Sequence, residues 1–94
     1  SSDLMKSTTH LLTNDGKRIA KRLVNHWKHK FEVQETEQDF KILMPTATIT
    51  LAPETEQLNV AIDSQLDDHD HLEKVVLDHL NRMAQQEFQV QWQH

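Results

Sequence analysis

Phe40-Lys41-Ile42-Leu43-Met44 and, after Pro45-Thr46, Ala47-Thr48-Ile49-Thr50-Leu51 decide the fold of this 94-residue chain. In both runs an apolar residue returns at every second position, the period of a strand with one buried face. The pattern repeats outward. Phe31 and Val33 precede these runs, and Leu58, Val60 and Ile62 follow the Pro53-Glu54-Thr55 stretch. The connections have the length that joins antiparallel neighbours, so four strands are expected in a meander. The alternate positions, Glu32, Gln34, Lys41, Thr48, Thr50, Gln57 and Asn59, are polar, with Leu43 and Ala61 the main exceptions. One side of the sheet is therefore buried under helices and the other is wet. The wet side has no aromatic residue, whereas a sheet that binds RNA displays stacking rings there.

On the N-terminal side, Thr13 or Asn14 can cap a helix reaching about His29, with Asp15 in its first turn and Lys28 and Lys30 near its negative end. Ile19, Ala20, Leu23, Val24 and Trp27 form its apolar stripe. Lys17, Arg18, Lys21, Arg22 and Lys28 lie opposite, which reads first as a solvated helix face. On the C-terminal side, Asp67 or Asp68 caps a second helix to about Ala84, whose stripe is Leu72, Val75, Val76, Leu80 and Met83. Phe88, Val90 and Trp92 then alternate as a last strand, expected to pair with the first. The expected fold is α+β, a single domain in the order α-β-β-β-β-α-β, with two helices packed on one face of a mainly antiparallel five-stranded sheet. Residues 1–12 are set apart as a partly flexible N-terminal segment, and residues 13–94 form the domain.

Composition excludes several chemistries. Without cysteine there is no disulfide, thiolate metal site, iron–sulfur cluster or cysteine nucleophile, and a reducing cytoplasm fits. No apolar run is long enough to span a bilayer, and the start lacks the order of a signal peptide, so a soluble cytoplasmic protein is expected. The net charge of −5 divides unevenly. Residues 1–30 carry seven Lys or Arg against two acids, and residues 31–94 carry three against thirteen. An acidic remainder of that size repels a phosphate backbone and argues against nucleic acid.

Histidines are the candidate chemistry. His26 lies at the edge of the first helix's stripe, His29 follows at i+3, and His79 lies among Val75, Val76, Leu80 and Met83. A polar ring at that position needs a hydrogen-bond partner, since burial without one costs on the order of 1 to 3 kcal/mol. The bland reading of His79 is a core residue bonded to a backbone carbonyl or to a side chain of the first helix. If the helices pack side by side, His26 and His79 approach each other, with Asp78, Asn25 or Glu73 as orienting groups. Such a pair could hold a divalent metal or move a proton, and His26, His29 and His79 are the metal-ligand candidates. The frame H-E-x-x-H is absent. Asp67-Asp68-His69-Asp70-His71 reads as a helix start, because it lacks the glycine and later Glu of a calcium loop. No G-x-S-x-G elbow or glycine-rich oxyanion loop supports nucleophilic catalysis, so no catalytic residue is assigned and the balance leans away from an enzyme.

Asn25-His26-Trp27-Lys28-His29-Lys30, Asp39-Phe40 and Asp78-His79-Leu80-Asn81-Arg82-Met83-Ala84 resemble the small bacterial family catalogued as domain of unknown function 2218, over about Met5 to Trp92. The chain departs from that pattern at Met83, Gln85 and Gln86. The resemblance implies a functional region around His26, Trp27, His29, Asp78, His79 and Arg82. It also implies an association with siderophore-interacting oxidoreductases, hence with iron acquisition. Three functions follow as expectations. One is a non-enzymatic accessory or binding domain acting with a protein partner in iron or siderophore handling. Another is a metal- or proton-handling site on His26, His29 and His79, with no other cofactor expected. The third is a homo-oligomer joined through an exposed edge at Leu58 to Ile62.

Overall fold

The structure, a computed structural model, describes residues 4–45, 47–65 and 69–93. The elements are β1 (Leu4–Leu12), α1 (Gly16–Trp27), β2 (Glu32–Glu35), β3 (Phe40–Met44), β4 (Ala47–Pro53), β5 (Gln57–Gln65) and α2 (His69–Ala84). The strands form one antiparallel sheet in the order β1-β5-β4-β3-β2. The α+β class, the five-strand count and the β2–β5 meander agree with the sequence expectation.

The alternating residues point where the pattern places them. Phe40, Ile42, Ala47, Ile49, Leu51, Leu58, Val60 and Ile62 are all buried. They meet Ile19, Ala20, Leu23, Val24 and Trp27 of α1 and Leu72, Val76 and Leu80 of α2 in one core. Fully burying a side chain of this size stabilises the fold by roughly 1.5–3 kcal/mol. The single glycine, Gly16, begins α1 where helix and sheet come closest. A Cβ there would lie 3.2 Å from Leu58 Cβ and 3.3 Å from both the Gln57 carbonyl oxygen and Pro53 Cβ.

The element order differs from expectation in one exchange. The fifth strand is β1, from the segment set apart as residues 1–12, and not Phe88–Trp92; the observed order is β-α-β-β-β-β-α. Two of β1's inward positions are Ser7 and Thr9, both buried, so its alternation carries little hydrophobic signal. The C-terminal stretch instead runs past β1 and meets it at a single bridge, Thr8 to Gln93. Phe88, Val90 and Trp92 are partly buried against the core, while the Phe88 amide donates to Asn81 Oδ1 rather than to a ladder. Their alternation thus reflects packing without strand pairing. A second correction concerns the proposed Leu58–Ile62 edge. β5 has β1 on one side and β4 on the other, so its backbone groups are already paired, and the sheet edges are β1 and β2.

The helix ends also shift. α1 begins at Asp15 as N-cap, with no side-chain cap bond, while Thr13 Oγ1 accepts from the Asp15 amide. The expected caps Asp67 and Asp68, with Thr46 and His94, lie outside the described residues. At its other end α2 closes in a Schellman arrangement: the Gln86 amide donates to the Asn81 carbonyl and the Gln85 amide to that of Arg82. Gln85 takes the left-handed conformation, φ 57°, that this closure needs and that glycine adopts without strain.

Candidate functional site

α1 and α2 lie against each other on the sheet, and the last turn of α1 faces the middle of α2. Arg22 Nη1 donates to the Met83 carbonyl at 3.1 Å, which ties α1 to the end of α2 and satisfies one carbonyl that the helix terminus leaves open. This packing brings three rings together at the seam. The centroids of His26 and His79 are 5.6 Å apart, with planes tilted by 44°. Those of Trp27 and His79 are 4.9 Å apart, tilted by 50°. Trp27 is buried and also meets Phe31 edge to face, whereas His26 is exposed and His79 half-buried.

His79 Nδ1 lies 2.8 Å from the Val75 carbonyl oxygen, one turn earlier on the same helix. A carbonyl only accepts, so Nδ1 carries the hydrogen, and in the neutral ring Nε2 then holds a lone pair. The backbone-bonded reading of His79 thereby holds, and it coexists with the approach to His26. The remaining candidates disperse. His29 is exposed and takes no part in these ring contacts. Asp78 turns to Arg82, 3.4 Å away in an exposed i, i+4 pair, rather than orienting a histidine. Among the described residues no set of three or more His, Asp or Glu is placed to hold a metal ion, so His26, His29 and His79 do not assemble as a ligand set.

Glu73, expected as an orienting group at the seam, belongs to a different cluster that the sequence reading missed. His69, 2% exposed, lies in the first turn of α2. Its Nδ1 is 2.8 Å from Ser64 Oγ on β5, and its Nε2 contacts Ser7 Oγ on β1. Ser7 Oγ donates to Glu73 Oε2, which stands 3.4 Å from His69 Nε2. Both serines are fully buried. A signal for His69 existed: it precedes Leu72 by three residues and continues the Leu72, Val76, Leu80 stripe that α2 buries. Its place among aspartates favoured reading it as part of a cap.

The basic face of α1 borders an open cleft of about 640 Å³ lined by Lys17, Arg18, Lys21, Glu35, Glu37 and Phe40. Lys21 and Glu35 pair there at 2.8 Å, both well exposed. Cations and carboxylates alternate around this cleft, which accords with a solvated face rather than a phosphate-binding surface. We therefore place the candidate site by its chemistry, at the ring seam, rather than by cleft size. No described helix is long and apolar enough to cross a membrane.

A family model described as "Uncharacterized protein conserved in bacteria (DUF2218)" matches residues 8–93. Among solved structures, the NMR structure of PA4090 from Pseudomonas aeruginosa superposes with a TM-score of 0.79 at 34% sequence identity, covering 94% of each chain. No curated protein matches.

Proposed function

The chain belongs to this family of uncharacterized bacterial proteins, and from that premise we propose that it is a non-enzymatic, cytoplasmic accessory domain that binds its ligand or partner at the seam of α1 and α2, on His26, Trp27 and His79. The observation that carries the reading is the convergence of three rings from two helices, 5.6 and 4.9 Å apart, with one imidazole exposed and another half-buried. Aromatic and imidazole rings that meet between two elements are common material of a small binding site. Iron or siderophore handling is the setting we propose, supported by the resemblance of the histidine-bearing segments to proteins associated with siderophore-interacting oxidoreductases. Titration of labelled protein with a ferric tris-catecholate chelate, followed by NMR of the histidine rings, tests this. His26 and His79 are expected to shift together while His10 stays still. Unmoved rings, with no partner retained in repeated co-purification, would overturn the reading.

One observation favours a second reading, metal or proton handling by His26 and His79. The Val75 carbonyl fixes the orientation and tautomer of His79 in the way that outer partners fix ligating histidines. Two imidazoles give an incomplete site, so bound ligand or water supplies the other donors. His79→Gln is expected to remove ferrous-ion binding while the circular dichroism spectrum is preserved. Undiminished ferrous binding in that variant would count against it.

A further inference from the structure

Where the first turns of α1 meet the end of α2, a small pocket of about 210 Å³ lies at the foot of the ring seam. Its polar walls are Thr13, Asp15, Arg18, Arg22, Gln85 and Gln86. We infer that this pocket is an oxyanion site, which takes the carboxylate or phosphate group of a small ligand on the Arg18 and Arg22 guanidinium groups.

Charge is the first support. Arg18 and Arg22 stand four residues apart on α1, so they share one helix face at about 6 Å of axial rise, a spacing at which like charges repel. Lys21 and Arg82 are each matched by a carboxylate, Glu35 at 2.8 Å and Asp78 at 3.4 Å. Among the described residues neither Arg18 nor Arg22 forms an ion pair, although Asp15 borders the same pocket. The wall contributed by α2 and the residues after it brings no carboxylate. An oxyanion there relieves the repulsion and accepts charge-assisted hydrogen bonds from two planar forks.

Preorganisation is the second. Arg22 Nη1 donates to the Met83 carbonyl at 3.1 Å, which holds the guanidinium in place and leaves Nε and Nη2 to donate elsewhere. A side chain fixed before binding has less freedom to lose on binding. The same bond, with those from the Gln85 and Gln86 amides, occupies the carbonyls of Met83, Arg82 and Asn81. That blunts the negative end of α2 where it borders the pocket. Thr13 Oγ1 accepts from the Asp15 amide, so its hydroxyl hydrogen remains to be donated.

Size and direction define the ligand. Pockets that enclose a whole drug-sized molecule run to roughly 300–1,000 Å³. This one is smaller and suits one anionic group of a ligand whose remainder lies outside it. Arg18, Arg22 and His26 follow one another at i, i+4 and i+8, so a ligand anchored on the arginines extends along α1 toward the rings. The substrate class is then a small molecule with a planar body and an anionic end. That extension rests on the seam reading above, whereas the arginine pocket does not.

The test follows the arginine Nε–Hε resonances of the full chain by NMR during titration with sodium phosphate and, separately, sodium succinate, each against sodium chloride at equal ionic strength. The Arg18 and Arg22 resonances are expected to shift together and to saturation with at least one oxyanion and not with chloride. The tighter of the two identifies phosphate or carboxylate. Arg18→Gln is expected to weaken binding by about tenfold or more. Lys17→Gln, outside the pocket, is expected to leave it within about twofold. If Arg22→Gln fails to fold, Arg18→Gln and the Arg22 resonance still decide. The chain carrying His26→Ala and His79→Gln is expected to keep its oxyanion affinity, which separates this site from the seam; loss of binding there assigns the anion to the rings and overturns the proposal. It is equally overturned by the absence of a saturable shift, or by equal losses in Lys17→Gln and Arg18→Gln, which would leave Arg22 only as a cap for α2.

Discussion

His69 and His79 stand on the same helix and make opposite kinds of bond. The bonds of His69 cross to two strands, so three elements meet at one imidazole. The described bond of His79 returns to its own helix at Val75, and its neighbours across the seam are rings rather than hydrogen-bond partners. The first arrangement makes a side chain part of the tertiary fold. The second ties a side chain to its own helix, with no described hydrogen bond to another element. Both readings can be broken by measuring what each region contributes to stability.

The largest effect is expected from His69→Leu. It removes the partner of a buried hydroxyl and leaves Ser64 and the Ser7–Glu73 pair short of a bond, so urea denaturation is expected to show a loss of about 2–4 kcal/mol. A loss below about 0.5 kcal/mol would erase the distinction between the two histidines. A smaller change of opposite sign is expected at the far end of α2, where Gln85→Gly relieves the left-handed backbone. Thermal unfolding is expected to show a gain of about 0.5–1 kcal/mol, provided the Schellman closure persists. The smallest effect belongs to the seam. His26 is exposed, and His26→Ala is expected to change stability by no more than about 0.5 kcal/mol while reducing ferric-chelate binding. A large loss of stability with unchanged binding would make the seam a packing feature.

The same contrast explains what was legible in the sequence. Leu58, Val60 and Ile62 or Leu23, Val24 and Trp27 announce their faces because burial selects apolar side chains at the strand or helix period. The meeting of His26 and His79 could be stated only as a condition, since the spacing within each helix does not set how two helices pack. β1 escaped because Ser7 and Thr9 occupy inward positions as polar residues, and their burial makes sense only once His69, Glu73 and the Gln91 carbonyl are seen as partners. His69 escaped for the complementary reason, one of its two partner hydroxyls, that of Ser7, lying 62 residues away in the chain. Phe88, Val90 and Trp92 misled because half-buried alternation looks the same whether or not the backbone joins a ladder. For Phe88, Val90 and Trp92 hydrophobic periodicity reported burial and was silent about hydrogen bonds, and for Ser7, Thr9 and His69 it gave no sign of the burial either.

The pairing of β1 with β5 bears on the order of assembly. The nearest register pair, Leu12 with Gln57, closes a loop of about 45 residues, an entropic cost on the order of 3 kcal/mol before any ladder bond is gained. The β2–β5 meander closes through short turns and faces no comparable barrier. β1 is thus the last strand to find its place, arriving on a sheet that is already built. Ser7 travels with it, so the bonds that join β1 to His69 and Glu73 belong to the final step of folding and to the first step of its reversal.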